Sequence, residues 1–466
     1  MNRNPSREDG SQAAAAMRVL IFDGPQTRGT LAARLGLGVG QAGGLLDRLG
    51  RAGVVQPAPA PAALRGRPPR TFRAVADRGY VLGLSLGLGL VSGAAFDLGW
   101  QTLARTAIRR PLIDLPAQAI LDTVLEAAER LMREGRLPRE RCLAIGCGVW
   151  GSARRSGEVT LFWPYRRDLR DVPLVATAGS HFGVPAVADD GVRYRAQELL
   201  YRRPAVRDFL YVSELGALAA VHDGTVQRGS SGFGGELGHF VVDPSGPPCE
   251  CGDRGCLLAV ASSEALLRRI ATAAGPGLHP ALRGLLRRTA LRGPRPGRAR
   301  DAGDSGWGEL RGPSDVDRAA PTSTPPPSEG VATLSAPMGD LRPLGQRTDT
   351  YAALLAAAED GDRLANRLLV EVGTGLGRAV ATAINILGLE TVIVSGDLLG
   401  RTPVAQEALR RTLRLHVVEL LQPRMQVSYL IPMAEDGLLG AAQQALSHAL
   451  SRRPLAEGTR RLLLGA

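Results

Sequence analysis

One histidine and three cysteines lie close together in the middle of the 466-residue chain. They follow the spacing H-x9-C-x-C-x4-C and are His239, Cys249, Cys251 and Cys256. The residues between them are rich in glycine, proline and aspartate, which form turns and let a short loop fold back on itself. Three thiolates and one imidazole directed at one centre are typical of a structural zinc site without an open position. The alternatives are a disulfide and unmetallated thiols that are adjacent by chance.

The choice between metal and disulfide depends on the cellular compartment. No run of about 18 apolar residues is present, and the N-terminal stretch MNRNPSREDGSQ has acids and a proline where a signal peptide needs an apolar block. We therefore expect a cytoplasmic protein with no membrane partner. Thiols stay reduced in that compartment, which favours zinc over a disulfide. The two isolated cysteines, Cys142 and Cys147, are predicted to be core thiols.

The charge of the chain indicates a partner. The net charge is +12, and all 57 basic residues are arginine, which excludes a Schiff-base lysine and the lysine of a phosphate-binding P-loop. Residues 1–76 contain eleven arginines and four acids, a net charge of +7. A basic N-terminal module suggests nucleic acid, whereas a compositional drift toward arginine would also explain the overall charge.

The periodicity of this basic segment predicts a DNA-binding domain. After a flexible tail at 1–12, helices are expected over 13–24, 30–35 and 39–51, followed by a short apolar strand and a proline-rich loop. This order is that of a winged helix-turn-helix, assigned to residues 13–76. The predicted DNA contacts are Gln41 to bases, Arg48, Arg51 and Arg70 to phosphates, and Arg65, Gly66 and Arg67 in the minor groove. The alternative is a module kept only for interaction or dimerisation.

From Gly79 onward, apolar runs broken by glycine alternate with helical segments, which predicts an α/β domain. Between about 276 and 349 the sequence is rich in proline, glycine, arginine and serine and lacks periodicity. Such a segment buries too little apolar surface to offset its ordering entropy, so we predict a disordered insertion there.

The stretch ELGHFVVDPSGPPCECGDRGC resembles the signature of the ROK family, which comprises repressors, open reading frames and sugar kinases. The similarity extends from about Val81 to Ala449, apart from the insertion. It implies a two-lobed, actin-like ATPase (ribonuclease H-like) fold for residues 79–466, with a structural zinc beside a sugar cleft. Together with the N-terminal module, the chain resembles the repressor branch of the family.

The resemblance also separates a regulator from a kinase. Family kinases have a D-x-G-G-T-K-like loop where this chain has SLGLGL, without acid, threonine or lysine. In the second phosphate loop Gly216 remains, but Leu218 and Ala220 stand where glycines would let the backbone approach phosphate. We therefore expect no enzyme activity, and Asp190 holds only the position of the former catalytic base. The alternatives are an ATP-dependent sugar kinase and a degenerate scaffold.

The resemblance assigns the sugar contacts to Asp189, Asp190, Glu236 and His239. A glutamate expected two residues after the last cysteine is replaced by Leu258. Two adjacent acids would repel each other if buried, which raises the pKa of one unless a ligand or an arginine intervenes. A solvated acidic loop without ligand is the alternative. The expected partners are thus a double-stranded DNA operator, a sugar or sugar-phosphate effector, and further copies of the chain in a homodimer or homotetramer.

Overall fold

The computed structural model describes residues 5–58, 70–154, 157–161, 166–214, 216–230, 232, 234–291, 344–433, 436–452 and 455–464. The chain forms two compact units, each containing a five-stranded sheet. The first unit comprises Met1–Leu161, Asp168–Ala205 and Met433–Ala466, and the second comprises Phe162–Arg167 and Val206–Pro432. The predicted α/β class is confirmed.

The N-terminal segment of the first unit contains three helices and three short strands. They are α1 (Pro5–Phe22), β1 (Gln26–Thr27), α2 (Arg28–Leu35), α3 (Val39–Arg51), β2 (Val55–Ala58) and β3 (Thr71–Ala74). The strands form an antiparallel sheet in the order β1-β3-β2. A reciprocal capping box between Thr27 and Thr30 starts α2, and Gly36, at a φ of 64°, ends it. The helices predicted at 30–35 and 39–51 are confirmed as α2 and α3.

The first unit continues with a mixed sheet flanked by helices. Its elements are β4 (Tyr80–Leu86), β5 (Leu90–Asp97), β6 (Thr102–Arg109), α4 (Ala117–Glu134), β7 (Cys142–Val149), β8 (Gly151–Ala153), β9 (Val159–Leu161), α5 (Leu174–Phe182), β10 (Ala186–Asp190) and α6 (Gly191–Arg202). The five-stranded sheet has the order β10-β7-β4-β5-β6, with β10, β7 and β4 parallel, and β8 pairs with β9 in a separate hairpin. The carboxyl end of β10 thus leads directly into α6.

The second unit is built in the same alternating manner. Its elements are β11 (Phe209–Ser213), β12 (Leu218–His222), β13 (Thr225–Val226), α7 (Leu257–Ala261), α8 (Ser263–Thr272), α9 (Pro280–Leu291), α10 (Leu344–Glu359), α11 (Arg363–Leu387), β14 (Thr391–Ser395), α12 (Asp397–Arg401), α13 (Pro403–His416) and β15 (Gln426–Leu430). Its sheet has the order β13-β12-β11-β14-β15. The last two helices of the chain, α14 (Leu438–Ser451) and α15 (Glu457–Leu464), return to the first unit.

Two glycines let the first sheet approach α14 closely. A Cβ atom on Gly83 of β4 would lie 1.9 Å from the carbonyl oxygen of Leu438, and one on Gly146 of β7 would lie 2.0 Å from that of Ala441. No side chain fits at such distances. Glycine at both positions therefore allows α14 to pack directly on the middle strands of the sheet.

One continuous apolar core joins the N-terminal segment to this sheet. It combines buried side chains of α1 and α3 with those of β4, β5 and α14. The indole N–H of Trp100 donates to the Ile21 carbonyl at 3.1 Å, and its ring lies 5.3 Å from that of Phe22. Within the first unit, the N-terminal helices are therefore packed onto the α/β layer.

The prediction of a disordered insertion at about 276–349 is wrong at both ends of this range. Helix α9 begins at Pro280, and α10 begins at Leu344. Leu282 and Leu285 are buried in the core of the second unit, so an apolar face with helical spacing outweighs the loop-like composition. Residues 292–343 of the predicted insertion lie outside the described residues.

Candidate functional site

Four side chains that can bind a metal converge in the second unit. They are His239, Cys249, Cys251 and Cys256, and their ligand atoms all lie within 4.8 Å of one another. His239 ends a short 3-10 turn, and Cys256 immediately precedes α7. The loop between these two elements supplies the other two thiols. The structure thus brings together the four side chains that the sequence spacing singled out.

The backbone holds this loop in place. Val241 pairs with Cys256 in an isolated antiparallel bridge, so both ends of the loop are close together. Gly255 has a φ of 66°, and a Cβ atom there would lie 1.5 Å from the carbonyl oxygen of Asp243. Glycine is therefore required next to the last cysteine, and the ligand positions are set by the backbone.

The distances within the cluster exclude a disulfide and match a tetrahedral ion. The Sγ atoms of Cys251 and Cys256 lie 3.7 Å apart, as do Cys249 Sγ and His239 Nδ1, whereas an S–S bond is about 2.05 Å long. Ligands about 2.3 Å from a shared tetrahedral ion lie about 3.8 Å from one another. All five cysteines of the chain are described, and all are free thiols.

The chemistry of the donors also fits a metal. Hydrogen bonds from the Cys249 and Cys256 thiols lower the pKa of Cys251, which favours the thiolate that binds metals. The His239 Nδ1 atom faces Cys249, while its Nε2 atom is buried without a hydrogen-bond partner among the described residues. A metal-bound histidine usually donates its second N–H to a nearby acceptor. In His239 that second N–H is on Nε2, so an acceptor group of a bound ligand could take this position.

The two isolated cysteines behave differently. Cys142 and Cys147 are buried on β7, and burial raises the pKa of both thiols to about 12. Their prediction as core thiols is confirmed.

The adjacent acids Asp189 and Asp190 end β10. Asp189 Oδ1 accepts a hydrogen bond from Arg193 Nη1 at 2.8 Å and another from the Asp190 N–H at 2.9 Å. The side chains of Arg193 and Asp189 are only 5% and 4% exposed. Asp190 Oδ1 accepts from the Val192 N–H at 2.7 Å and thereby caps α6. Both acids therefore have structural partners.

Arg193 was not identified from the sequence. Asp189 lies in β10 and Arg193 in the first turn of α6, so the pair forms across the strand-to-helix junction and helical spacing does not predict it. Because Arg193 neutralises Asp189, the repulsion between the adjacent acids is relieved. The solvated acidic loop considered from the sequence is wrong, since both carboxyl groups are buried.

The environment of Asp190 changes its acidity. Burial raises the pKa of Asp190 to about 7, although the Arg193 guanidinium and the Val192 N–H oppose this shift. A carboxyl group with a pKa near 7 exchanges protons at physiological pH, and such groups are concentrated at functional sites.

Replacing Asp190 with asparagine is expected to stabilise the protein at pH 8 by on the order of 1–3 kcal/mol. The pKa is about 7 in the folded state and about 3.9 in the unfolded chain, so stability falls as pH rises from about 4 to about 7. Asparagine keeps an oxygen for the Val192 N–H but carries no charge. Urea unfolding at pH 5 and pH 8 should show a larger gain at pH 8; an equal or smaller gain at pH 8 would contradict the burial of a charged group here.

Glu236 directly precedes the turn that carries His239 and is half-buried. A Cβ atom on Gly216 would lie 2.4 Å from the backbone of Gly238. The loop that resembles a phosphate-binding segment is therefore pressed against the Glu236–His239 turn.

The four side chains that the resemblance assigns to sugar binding divide between the two units. Asp189 and Asp190 belong to the first unit, and Glu236 and His239 belong to the second.

Glu214, which follows β11, was also missed. Its buried carboxylate accepts hydrogen bonds from the backbone N–H groups of Asp397, Leu398 and Leu399 at 3.0, 2.8 and 3.1 Å. These N–H groups begin α12 and have no partner inside the helix. A carboxylate therefore occupies the position where a helix N-terminus attracts an anion. No local pattern reveals the contact, since the partners are more than 180 residues apart in sequence.

The residues assigned to DNA contact lie in the N-terminal segment. Gln41, Arg48, Arg51 and Arg70 are exposed, the first three on α3. Arg65, Gly66 and Arg67 lie outside the described residues.

Arg28, at the start of α2, was not predicted. It forms an ion pair with Asp47 of α3 at 3.0 Å, and its guanidinium lies 5.7 Å from the ring centre of Phe72 on β3. These contacts tie α2, α3 and the β2–β3 hairpin together.

Every helix in the described part of the chain is too short or too polar to cross a membrane.

Comparison with known proteins identifies the class of the α/β domain. The sequence model of the ROK family matches residues 81–289. The glucokinase of Thermotoga maritima is 28% identical over 331 residues, which covers 69% of this chain and 82% of that protein. A putative xylose repressor from Caldicellulosiruptor sp. (strain Rt8B.4) is 28% identical over 221 residues, which covers 46% of this chain and 54% of the repressor. The chain thus spans about half the length of that repressor.

A solved ROK family transcriptional regulator, a homologue of the E. coli MLC protein, has the same fold. It aligns with 99% of this chain and 100% of its own chain at a TM-score of 0.67 and 19% identity. The domain that carries the His/Cys cluster is therefore a mixed α/β domain of the actin-like ROK fold. Residues 81–289 thus match the ROK family, and both repressors and kinases are among the relatives of the chain.

Proposed function

We propose that the protein is a DNA-binding transcriptional regulator, a repressor that responds to a sugar or a sugar phosphate. The observation that carries this proposal is the packing of an N-terminal helix pair and strand hairpin onto a ROK domain within one apolar core. The alignment of 99% of the chain with a solved ROK transcriptional regulator supports the same domain arrangement.

In this proposal residues 13–76 form a winged helix-turn-helix, with α3 in the major groove and the β2–β3 hairpin as the wing. The exposed side chains of Arg48, Arg51 and Arg70 suit phosphate contacts. The segment Arg65–Arg67 is assigned to the minor groove on the sequence alone. Residues 79–466 form the ROK domain. The flexible tail predicted at residues 1–12 is wrong from Pro5 onward, because helix α1 begins there.

The effector is assigned to the positions that hold sugar in the family. In the first unit the Asp189 carboxylate is already bonded to Arg193, so Asp190 is the better acceptor for a sugar hydroxyl. In the second unit Glu236 and His239 are the candidates, and the buried His239 Nε2 supplies a donor without a partner among the described residues. Hydroxyl groups of a sugar both donate and accept, which suits this mixture.

We assign a structural zinc ion to His239, Cys249, Cys251 and Cys256. When bound, the ion would neutralise thiolate charge and stabilise the loop. The chain itself then orients the His239 ring, because Nδ1 is held within the cluster and Nε2 remains for the effector.

An ATP-dependent sugar kinase is the second candidate, since Asp190 retains the position and acidity of a general base. Against it, Glu214 occupies the backbone donors of α12 that could hold phosphate, and side chains at Leu218 and Ala220 replace glycines. Coupled nucleotide turnover with hexoses and N-acetylhexosamines separates the two. We expect none, whereas turnover that disappears in Asp190→Asn would establish a kinase.

A homodimer or homotetramer is proposed because a pseudo-palindromic operator mirrors the two-fold symmetry of paired DNA-binding domains. For the effector to change DNA binding, it must bind the DNA-binding state and the non-binding state of the protein with different affinity.

Selection of genomic DNA fragments by the full-length protein at physiological salt tests the regulator. We expect a sharp, partly palindromic motif, and a roughly tenfold or greater loss of affinity with a shallower salt dependence in Arg48→Ala/Arg51→Ala. The matched control is Arg363→Ala/Arg367→Ala, which removes the same charge from exposed positions on α11. Diffuse enrichment that vanishes with modest salt would favour the degenerate scaffold instead.

A further inference from the structure

The N-terminus of α3 fixes the orientation of one amide side chain. The backbone N–H of Gly38, which precedes the helix, donates a hydrogen bond to Gln41 Oε1 at 3.0 Å. Only the oxygen of a side-chain amide accepts, so rotating this amide by 180° would set two donors against each other. The hydrogen bond is one half of a capping box, in which the third residue of a helix reaches back to the residue before it.

This capping hydrogen bond uses the Gln41 amide oxygen and leaves the amide N–H donors available. Its Nε2 group carries two N–H donors, and no described residue accepts from them. The side chain is exposed, and it lies in the first turn of α3, the part of a recognition helix that contacts base edges.

The neighbouring surface of α3 does not obstruct a close approach. Gly40 and Gly44 are four residues apart and lie on one exposed side of the helix. A Cβ atom at either position would have no heavy atom within 4 Å. Gln41 and Arg48 follow the adjacent side at a spacing of seven residues. Because Arg48 is assigned to a phosphate, contact with a base edge on this side of α3 depends on Gln41.

We infer that Gln41 determines specificity by donating to hydrogen-bond acceptors, so that it prefers guanine over adenine at one position of each half-site. This inference rests on the proposed DNA-binding function. Guanine presents two acceptors, N7 and O6, in the major groove, which suit the two Nε2–H donors. The usual pairing of glutamine with adenine needs the amide oxygen to accept from the adenine N6 amino group. That oxygen already accepts from the Gly38 N–H, so only its second lone pair remains for adenine, whereas both Nε2–H donors are unused.

The test uses selection from randomised duplexes by the full-length wild-type protein and two variants at the same salt concentration. Gln41→Glu keeps an oxygen that can accept from the Gly38 N–H, but it has no donors. We expect the guanine position of the wild type to change to cytosine, whose N4 amino group donates, with roughly tenfold or more loss of affinity for the original site. Gln41→Ala removes both functions and is expected to lose the preference at this position. Equal far-UV circular dichroism of wild type and Gln41→Glu checks that α3 is intact.

The outcomes separate this inference from the function on which it rests. A wild-type motif with adenine at the position that responds to Gln41 would overturn the inference, as would a motif that is the same for wild type and Gln41→Glu. The regulator proposal would survive both results. If the wild type selects no motif at physiological salt, the regulator proposal itself fails.

Discussion

Arg193→Ala is expected to lower the free energy of unfolding by about 3–5 kcal/mol. The substitution removes the partner of Asp189 while leaving that carboxylate buried, with 4% of its side chain exposed. A buried charge that has lost its cationic partner costs far more than the salt bridge itself contributes, because burial removes the water that would otherwise solvate the carboxylate. Urea unfolding at pH 7.5, followed by circular dichroism, measures the loss.

A second ion pair on the same helix provides the control. Arg202 and Glu198 also lie four residues apart on α6, but the Arg202 side chain is 63% exposed. We expect Arg202→Ala to cost less than Arg193→Ala, because the Arg202 guanidinium lies in solvent and Glu198, although 10% exposed, keeps the Gly437 N–H as a partner. The double variant Asp189→Asn/Arg193→Ala should recover part of the loss, since it removes the stranded charge. If Arg193→Ala costs no more than Arg202→Ala, the Asp189–Arg193 pair is not a buried ion pair in solution.

Cys251→Ser is expected to abolish binding of about one zinc ion per chain and to lower the melting temperature markedly. Serine is a poor zinc ligand at neutral pH because its hydroxyl stays protonated, and three remaining ligands hold the ion weakly. The free energy of zinc binding contributes directly to the folding of the segment that it holds. Elemental analysis and thermal unfolding, with and without a chelator, measure both effects.

The buried thiol of Cys147 on β7 offers a control for the loss of a cysteine. It is 1% exposed and outside the cluster, so Cys147→Ala should retain its zinc. A chelator should destabilise wild type and Cys147→Ala alike but leave Cys251→Ser unchanged. Wild-type protein prepared without zinc that melts at the same temperature as the zinc-bound form would rule out a structural ion.

Together these variants test the candidate effector residues of each unit separately. Asp190 and its neighbours depend on a buried ion pair in the first unit, and His239 depends on the cysteine cluster in the second. Loss of effector response in one set of variants with unaltered DNA selectivity would locate the sensor function in that unit.

The sequence by itself determined the features whose physical cause is local. The spacing of His239 and the three cysteines is short, and turn-forming residues fill it, so convergence follows from the loop alone. The helices α2 and α3 follow from apolar periodicity and end signals over a few residues.

Only the tertiary structure decided the features that join distant parts of the chain. Glu214 contacts the start of α12, more than 180 residues later in the sequence, and Gly83 contacts the start of α14, more than 350 residues later. The acidity of Asp190 likewise depends on burial by elements that no local pattern specifies. Desolvation and close packing arise from the surroundings that the whole fold supplies, whereas turns, caps and ligand spacing depend on neighbouring residues in the sequence.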